Sequence, residues 1–120
     1  MNTAHFFAIA QAFLWSAAAM YALWIFYAAV MCLKTAKNKG LLNTQLKVLG
    51  TPVLMVGYLL DAVLNIAVMT VVCLEMPQEL TISARLKRYN RDEAEWWWRR
   101  KVAAVFEPIL DPLDPSGDHI

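Results

Sequence analysis

With 120 residues the chain makes one small domain at most, and 59% of them are hydrophobic against 18% charged, where an ordinary soluble domain has about a quarter charged. Eleven Lys and Arg against ten Asp and Glu leave a net charge of +1, which excludes the basic excess of a nucleic-acid binder. The two cysteines, Cys32 and Cys73, lie far apart near the ends of apolar blocks. That excludes a disulfide framework or zinc site and predicts two buried small hydrophobes.

The charges are unevenly placed. From Phe6 to Leu33 no Asp, Glu, Lys or Arg occurs, and from Val48 to Leu74 only Asp61 does. Each block exceeds the roughly 20 apolar residues that cross a bilayer core. Met1 to His5 is a short head with no basic residue, and the apolar run behind it is too long for a cleaved leader. The pattern predicts a retained transmembrane helix within residues 1–39, capped by Thr3, continuing through Lys37 and stopped at Gly40. Trp15, Tyr21, Trp24, Phe26 and Tyr27 suit lipid or the interface.

A basic connector follows, residues 40–51, with Lys34, Lys37, Lys39 and Lys47 in and around it and no acid. Leu41, Leu42, Gln45, Leu46 and Leu49 suggest that part of it lies on the membrane surface. Thr51-Pro52 has the form of an N-cap followed by Pro at the first helical position. It predicts a second transmembrane helix over 52–75, ended by Glu75-Met76-Pro77. Inside that span Asp61 and Asn65 are one turn apart and share a face with Gly57. An ionised carboxylate in hydrocarbon is costly, so it faces protein or water or is protonated. An antiparallel hairpin would set Asp61 near Ala19 and Asn65 near Ser16. The face Asp61, Asn65, Gly57 and Ser16 is expected as polar glue within the hairpin or between copies, with a pore lining as the functional alternative.

Residues 76–120 are expected as an extramembrane tail, where most acidic and basic residues concentrate. Ala94, Trp98, Val102, Val105 and Ile109 form a helical stripe, which predicts an amphipathic helix over about 84–107. Trp96, Trp97 and Trp98 stand directly before Arg99, Arg100 and Lys101. Indole rings prefer the headgroup region and basic side chains are drawn to anionic lipid, so these six residues are expected at the membrane interface. Asp111, Asp114, Asp118 and His119 lack the spacing of a calcium loop and read as solvated Asp-Pro turns. No Ser or Cys stands in a recognisable nucleophile setting, so no enzyme, cofactor or metal is expected. The fold class is an all-α membrane protein, a two-span transmembrane helical hairpin with a C-terminal amphipathic interfacial helix.

Three segments carry a resemblance. They are Glu79-Leu-Thr-Ile-Ser-Ala-Arg-Leu-Lys-Arg-Tyr89, the Trp-Arg-Arg-Lys run ending at Lys101, and Leu110-Asp-Pro-Leu-Asp-Pro-Ser-Gly-Asp-His119. Together they resemble the C-terminal part of a group of small membrane proteins encoded by tailed bacteriophages and prophages of Gram-negative bacteria. Members often end in Gly-x-His-Cys, where this chain has Gly117-Asp-His-Ile120. The resemblance implies an origin and a host inner membrane, and no mechanism. Connector and tail carry similar numbers of basic residues near the spans, and the tail's larger total tips it to the cytoplasmic side. The expected role is an anchoring and interaction effector, with lipid, a second copy of the chain or a host membrane protein as partner and no nucleic acid. A holin-like lysis protein and a virion or assembly component are the alternatives.

Overall fold

The computed structural model describes residues 2–120, and among them every regular element is helical. Helix α1 spans Thr3–Asn38, about 54 Å at 1.5 Å per residue. Its cap is Asn2 rather than the expected Thr3: the Asn2 Oδ1 accepts from the Ala4 N–H at 3.2 Å. At the other end Gly40 takes φ 71°, and the N–H groups of Gly40 and Leu41 donate back to the carbonyls of Lys37 and Ala36. That pair of bonds closes the last turn and needs the left-handed residue that glycine supplies.

Helix α2 spans Thr44–Cys73. It begins eight residues before the start expected at Pro52. Asn43 provides the cap, accepting from the Leu46 N–H at 2.9 Å, and the connector is thereby drawn into the helix. Pro52 lies inside α2, where it leaves the Val48 carbonyl without its helical donor. Thr51 is no cap, since its hydroxyl donates to the Lys47 carbonyl at 2.7 Å. At the far end Leu74 turns left-handed, φ 53°, and stops the helix.

Both helices are long and apolar enough to cross a membrane. They pack antiparallel. A Cβ placed on Gly57 would lie 3.3 Å from Phe26 Cβ, and one on Gly50 would lie 2.7 Å from Leu33 Cδ1, so small residues set the close approach. This register sets Asp61 opposite the neighbourhood of Ala22, about one turn from the expected Ala19. Along the most apolar stretch of α1 only 6% of residues are buried. Phe7, Phe13 and Trp15 are each about 70% exposed, so this helix is not the core of a water-soluble domain. Cys32 is exposed on it, contrary to expectation, while Cys73 is buried.

The tail forms two helices instead of one over 84–107. Helix α3 spans Ile82–Arg91, capped by the Thr81 hydroxyl, and α4 spans Trp97–Leu110, followed by a 3-10 turn over Asp111–Leu113. Asp92 causes the break: its carboxylate accepts from the Ala94 N–H at 3.0 Å, an Asx turn that competes with helix. Ala94 therefore falls outside any helix, and Val105 and Ile109 of the expected stripe are exposed. The buried face of α4 is Val102, Ala103 and Leu110, with Phe106 beside them.

Nor does the tail stand away from the hairpin. One core joins Leu64, Met69 and Cys73 of α2 to Ile82, Leu86 and Tyr89 of α3 and to that face of α4, with Ala19, Met20, Leu23 and Tyr27 of α1 packed against it. The reason is apolar area. The inner faces of α3 and α4 are too apolar to leave in water, and they are buried against the hairpin as well as against one another.

Candidate functional site

The polar face of α2 is used by the tail. Asp61 Oδ1 accepts from the backbone N–H of Ile82 at 2.8 Å, and Asn65 Nδ2 donates to the Glu79 carbonyl at 2.6 Å. Asn65 is fully buried there. Asp61 thus anchors the first turn of α3 and Asn65 the segment leading into it. Gly57 sits on Phe26, and Ser16 lines an apolar groove shared with Asp61.

The six residues expected at the interface divide. Trp98 Nε1 donates to the Val72 carbonyl at 2.8 Å. The Arg99 guanidinium donates to the carbonyls of Cys73 and Leu74 at 2.9 and 3.1 Å. A cation on the last carbonyls of α2 opposes the negative end of the helix dipole. Trp96, Trp97, Arg100 and Lys101 are exposed, with Arg99 over the Trp96 ring and Lys101 over the Trp97 ring. Around this end Arg88 joins Glu75, Glu79 and Glu95, and Arg99 joins Glu75 and Glu95. The Trp96 N–H donating to its carboxylate outweighs the penalty of burial and, with Arg99 and Arg88 alongside, holds Glu95 below the usual carboxylate range.

Of the tail residues expected as solvated turns, Asp118 is exposed, whereas Asp114 is not. Asp114 is a buried carboxylate, its side chain 3% exposed, and Lys34 of α1 donates to both its oxygens at 2.9 and 3.1 Å. Ser116 donates to it through N–H and hydroxyl, each at 2.8 Å. Burial alone would raise its pKa, but the bonds from Lys34, Ser116 and His119 outweigh that and hold it well below the usual range. Asp111 Oδ1 accepts the N–H groups of His119 and Ile120. The Tyr27 hydroxyl of α1 donates to the Leu110 carbonyl, and the Tyr27 ring meets the His119 imidazole edge to face, centroids 4.8 Å apart.

These contacts fix one imidazole between two partners. His119 Nδ1 lies 2.8 Å from Asp114 Oδ2, and Nε2 lies 2.8 Å from Ser83 Oγ. With the proton on Nδ1, the carboxylate accepts it and Nε2 is free to accept from the hydroxyl. Sequence reasoning missed this arrangement because Ser83 and His119 are 36 residues apart and meet only when the tail folds onto α1 and α3. The Asp114 to His119 spacing inside the resembling tail was its only trace in the sequence. Ser83, His119, Tyr27 and Asp61 line one cavity of about 210 Å³. Among the described residues no group of three His, Cys, Asp or Glu is placed to hold a metal. Comparison with protein-family models, curated proteins and solved structures finds no match.

Proposed function

We propose that this is a small integral protein of a bacterial host's inner membrane, phage-encoded, acting as an anchoring and interaction effector. One observation carries the reading: the molecule is two-sided. The hairpin turns Phe7, Phe13, Trp15 and Leu59 outward with nothing covering them, a surface that lipid solvates well. Bonded to its flank is a tail whose α3 carries Lys87 and Asn90, half-buried, and Arg91, exposed, on its outer side. Hydrocarbon is a poor solvent for that flank, so it suits water or a polar protein surface. A single chain offering both faces is built to sit in a membrane and hold something beside it. Phage origin is supported by the three tail segments alone.

The holin-like alternative draws on the same flank, since several copies turning α3 inward would line a water-filled lesion. Controlled expression in a Gram-negative host, with membrane potential and optical density followed over time, separates the two. The effector reading expects growth with potential intact. Abrupt depolarisation at a reproducible time would replace it with the lesion-forming one.

A further inference from the structure

We propose that Ser83 and His119, with Asp114 positioning the imidazole, form a serine-hydrolase centre that cleaves acyl esters of membrane lipids. The arrangement is recognised by geometry and by the role of each atom. Hydroxyl to Nε2 and Nδ1 to carboxylate are both 2.8 Å, within the reach that general-base catalysis requires. The carboxylate is buried and held by Lys34 and Ser116, and the imidazole is packed against Tyr27, so nothing in the relay is loose.

A stabiliser for the developing oxyanion is in place. Ser83 is the second residue of α3. Next to it the Ile82 N–H donates to Asp61 and the Ala84 N–H to the Thr81 hydroxyl, while the Ser83 N–H bonds nothing among the described residues. A free N–H beside its own hydroxyl, at the positive end of a helix, is where negative charge on a tetrahedral intermediate is best held.

The surroundings select the substrate. Ser83 also opens on a groove of about 980 Å³ between α1 and α4, walled by Met20, Leu23, Phe106 and Leu110. It has the size of a ligand site and the apolar lining that an acyl chain needs. Depth agrees. Lys34, the first charge after the apolar block, holds Asp114, and Asp114 holds His119, so the centre is tied to the charged end of that block. It therefore lies near the boundary of the hydrocarbon, where the ester groups of a glycerolipid are.

The reaction balances without a cofactor. Ser83 Oγ bonds to the acyl carbon as its proton passes to Nε2. The ester C–O bond breaks, and the alcohol leaves with the proton from Nε2. Water then attacks the acyl-serine, giving a proton to Nε2 that returns to Ser83 Oγ as the fatty acid departs.

The test uses the full chain in nanodiscs with a dodecyl fluorophosphonate, which reacts only with activated serines. We expect one adduct per chain, mapped to Ser83 by peptide mass spectrometry and absent in Ser83→Ala. His119→Gln should slow labelling by at least about a hundredfold. For the positioning role, Asp114→Glu should restore labelling lost in Asp114→Asn. Vesicles of phosphatidylethanolamine and phosphatidylglycerol should release fatty acid with the wild-type chain and not with Ser83→Ala. Amide exchange over 116–120 unchanged in Ser83→Ala would show that this variant keeps the tail docked. No adduct, or an adduct that persists in Ser83→Ala, overturns the proposal and leaves the three residues as a clasp for the tail. Labelling at Ser83 without fatty-acid release overturns the lipid substrate.

Discussion

Asp114→Ala is the most telling single change, because one buried carboxylate ties the C-terminal residues to the hairpin. It removes two contacts with Lys34, one with His119 and two with Ser116. Lys34 is 43% exposed in its side chain, so that ion pair is discounted to about 0.5 kcal/mol. The bond between carboxylate and imidazole is sheltered and worth about 2 kcal/mol. The bonds to Ser116 are local to the turn and add a few tenths. The total is about 3 kcal/mol, a shift of about 150-fold between docked and free tail. The assay is amide exchange of the full chain in nanodiscs, reading His119 and Ile120, whose N–H groups both donate to Asp111. Protection there should fall by about two orders of magnitude; a change under threefold would refute the reasoning. The pH dependence has a definite sign. A carboxyl whose pKa is depressed on folding stabilises above its unfolded value, near 4, and loses that contribution as pH falls through the folded value. The wild-type tail should therefore stay protected at pH 5 and loosen only well below pH 4.

Arg85 is fully buried beside Cys73, and none of its three guanidinium nitrogens has a hydrogen-bond partner. Arg85→Met should be neutral or stabilising, by about 1–3 kcal/mol, in thermal unfolding in detergent; a lowered melting temperature would mean that the guanidinium has a partner. Gly57→Leu should splay the hairpin and cost about 1–3 kcal/mol, since Phe26 Cβ is already at 3.3 Å from a first added carbon. Gly50→Ala meets only the movable end of Leu33 and should cost far less, and equal losses at the two sites would contradict the packing. Asp61→Leu leaves the Ile82 N–H without its acceptor and should destabilise by about 1–3 kcal/mol while leaving oligomer size in detergent unchanged. A change in that size would restore Asp61 as a contact between copies.

How much of this was legible beforehand follows from which forces are local. The two long apolar helices are written in the absence of charge, and the stop at Gly40 in a residue that tolerates positive φ. The start of α2 was misplaced because Thr51-Pro52 and Asn43 are both good start signals. Sequence alone does not say that the residues between them prefer to continue as helix. The tail stripe failed for a related reason. Period 3.6 holds from Ala94 onward on paper, yet the Asp92 turn spends Ala94 outside the helix and rotates the buried face to Val102, Ala103 and Leu110. Asp61 and Asn65 stand out in the sequence as polar groups in need of partners. Their partners, Ile82 N–H and Glu79 carbonyl, are backbone groups, which no residue pattern marks. Ser83 and His119 belong to the same class of long-range pairing, invisible until the tail is placed.

The tail completes the hairpin rather than decorating it. Left alone, α2 would present Asp61, Asn65 and the carbonyls of Val72, Cys73 and Leu74 with no protein partner, and each such group in hydrocarbon costs several kcal/mol. Most are met from within the same chain: Asp61 by Ile82, the Asn65 Nδ2 by Glu79, and the three carbonyls by Trp98 and Arg99, while the buried Asn65 Oδ1 has no partner among the described residues. Two-span proteins often satisfy such groups by association of copies. Here residues 79–99 do it, which leaves Arg91 at the end of α3 exposed for other contacts. Docking of the tail and stability of the two long helices are thus one equilibrium. Anything that pulls the tail away, a partner included, must leave the polar groups of α2 to find water or another chain.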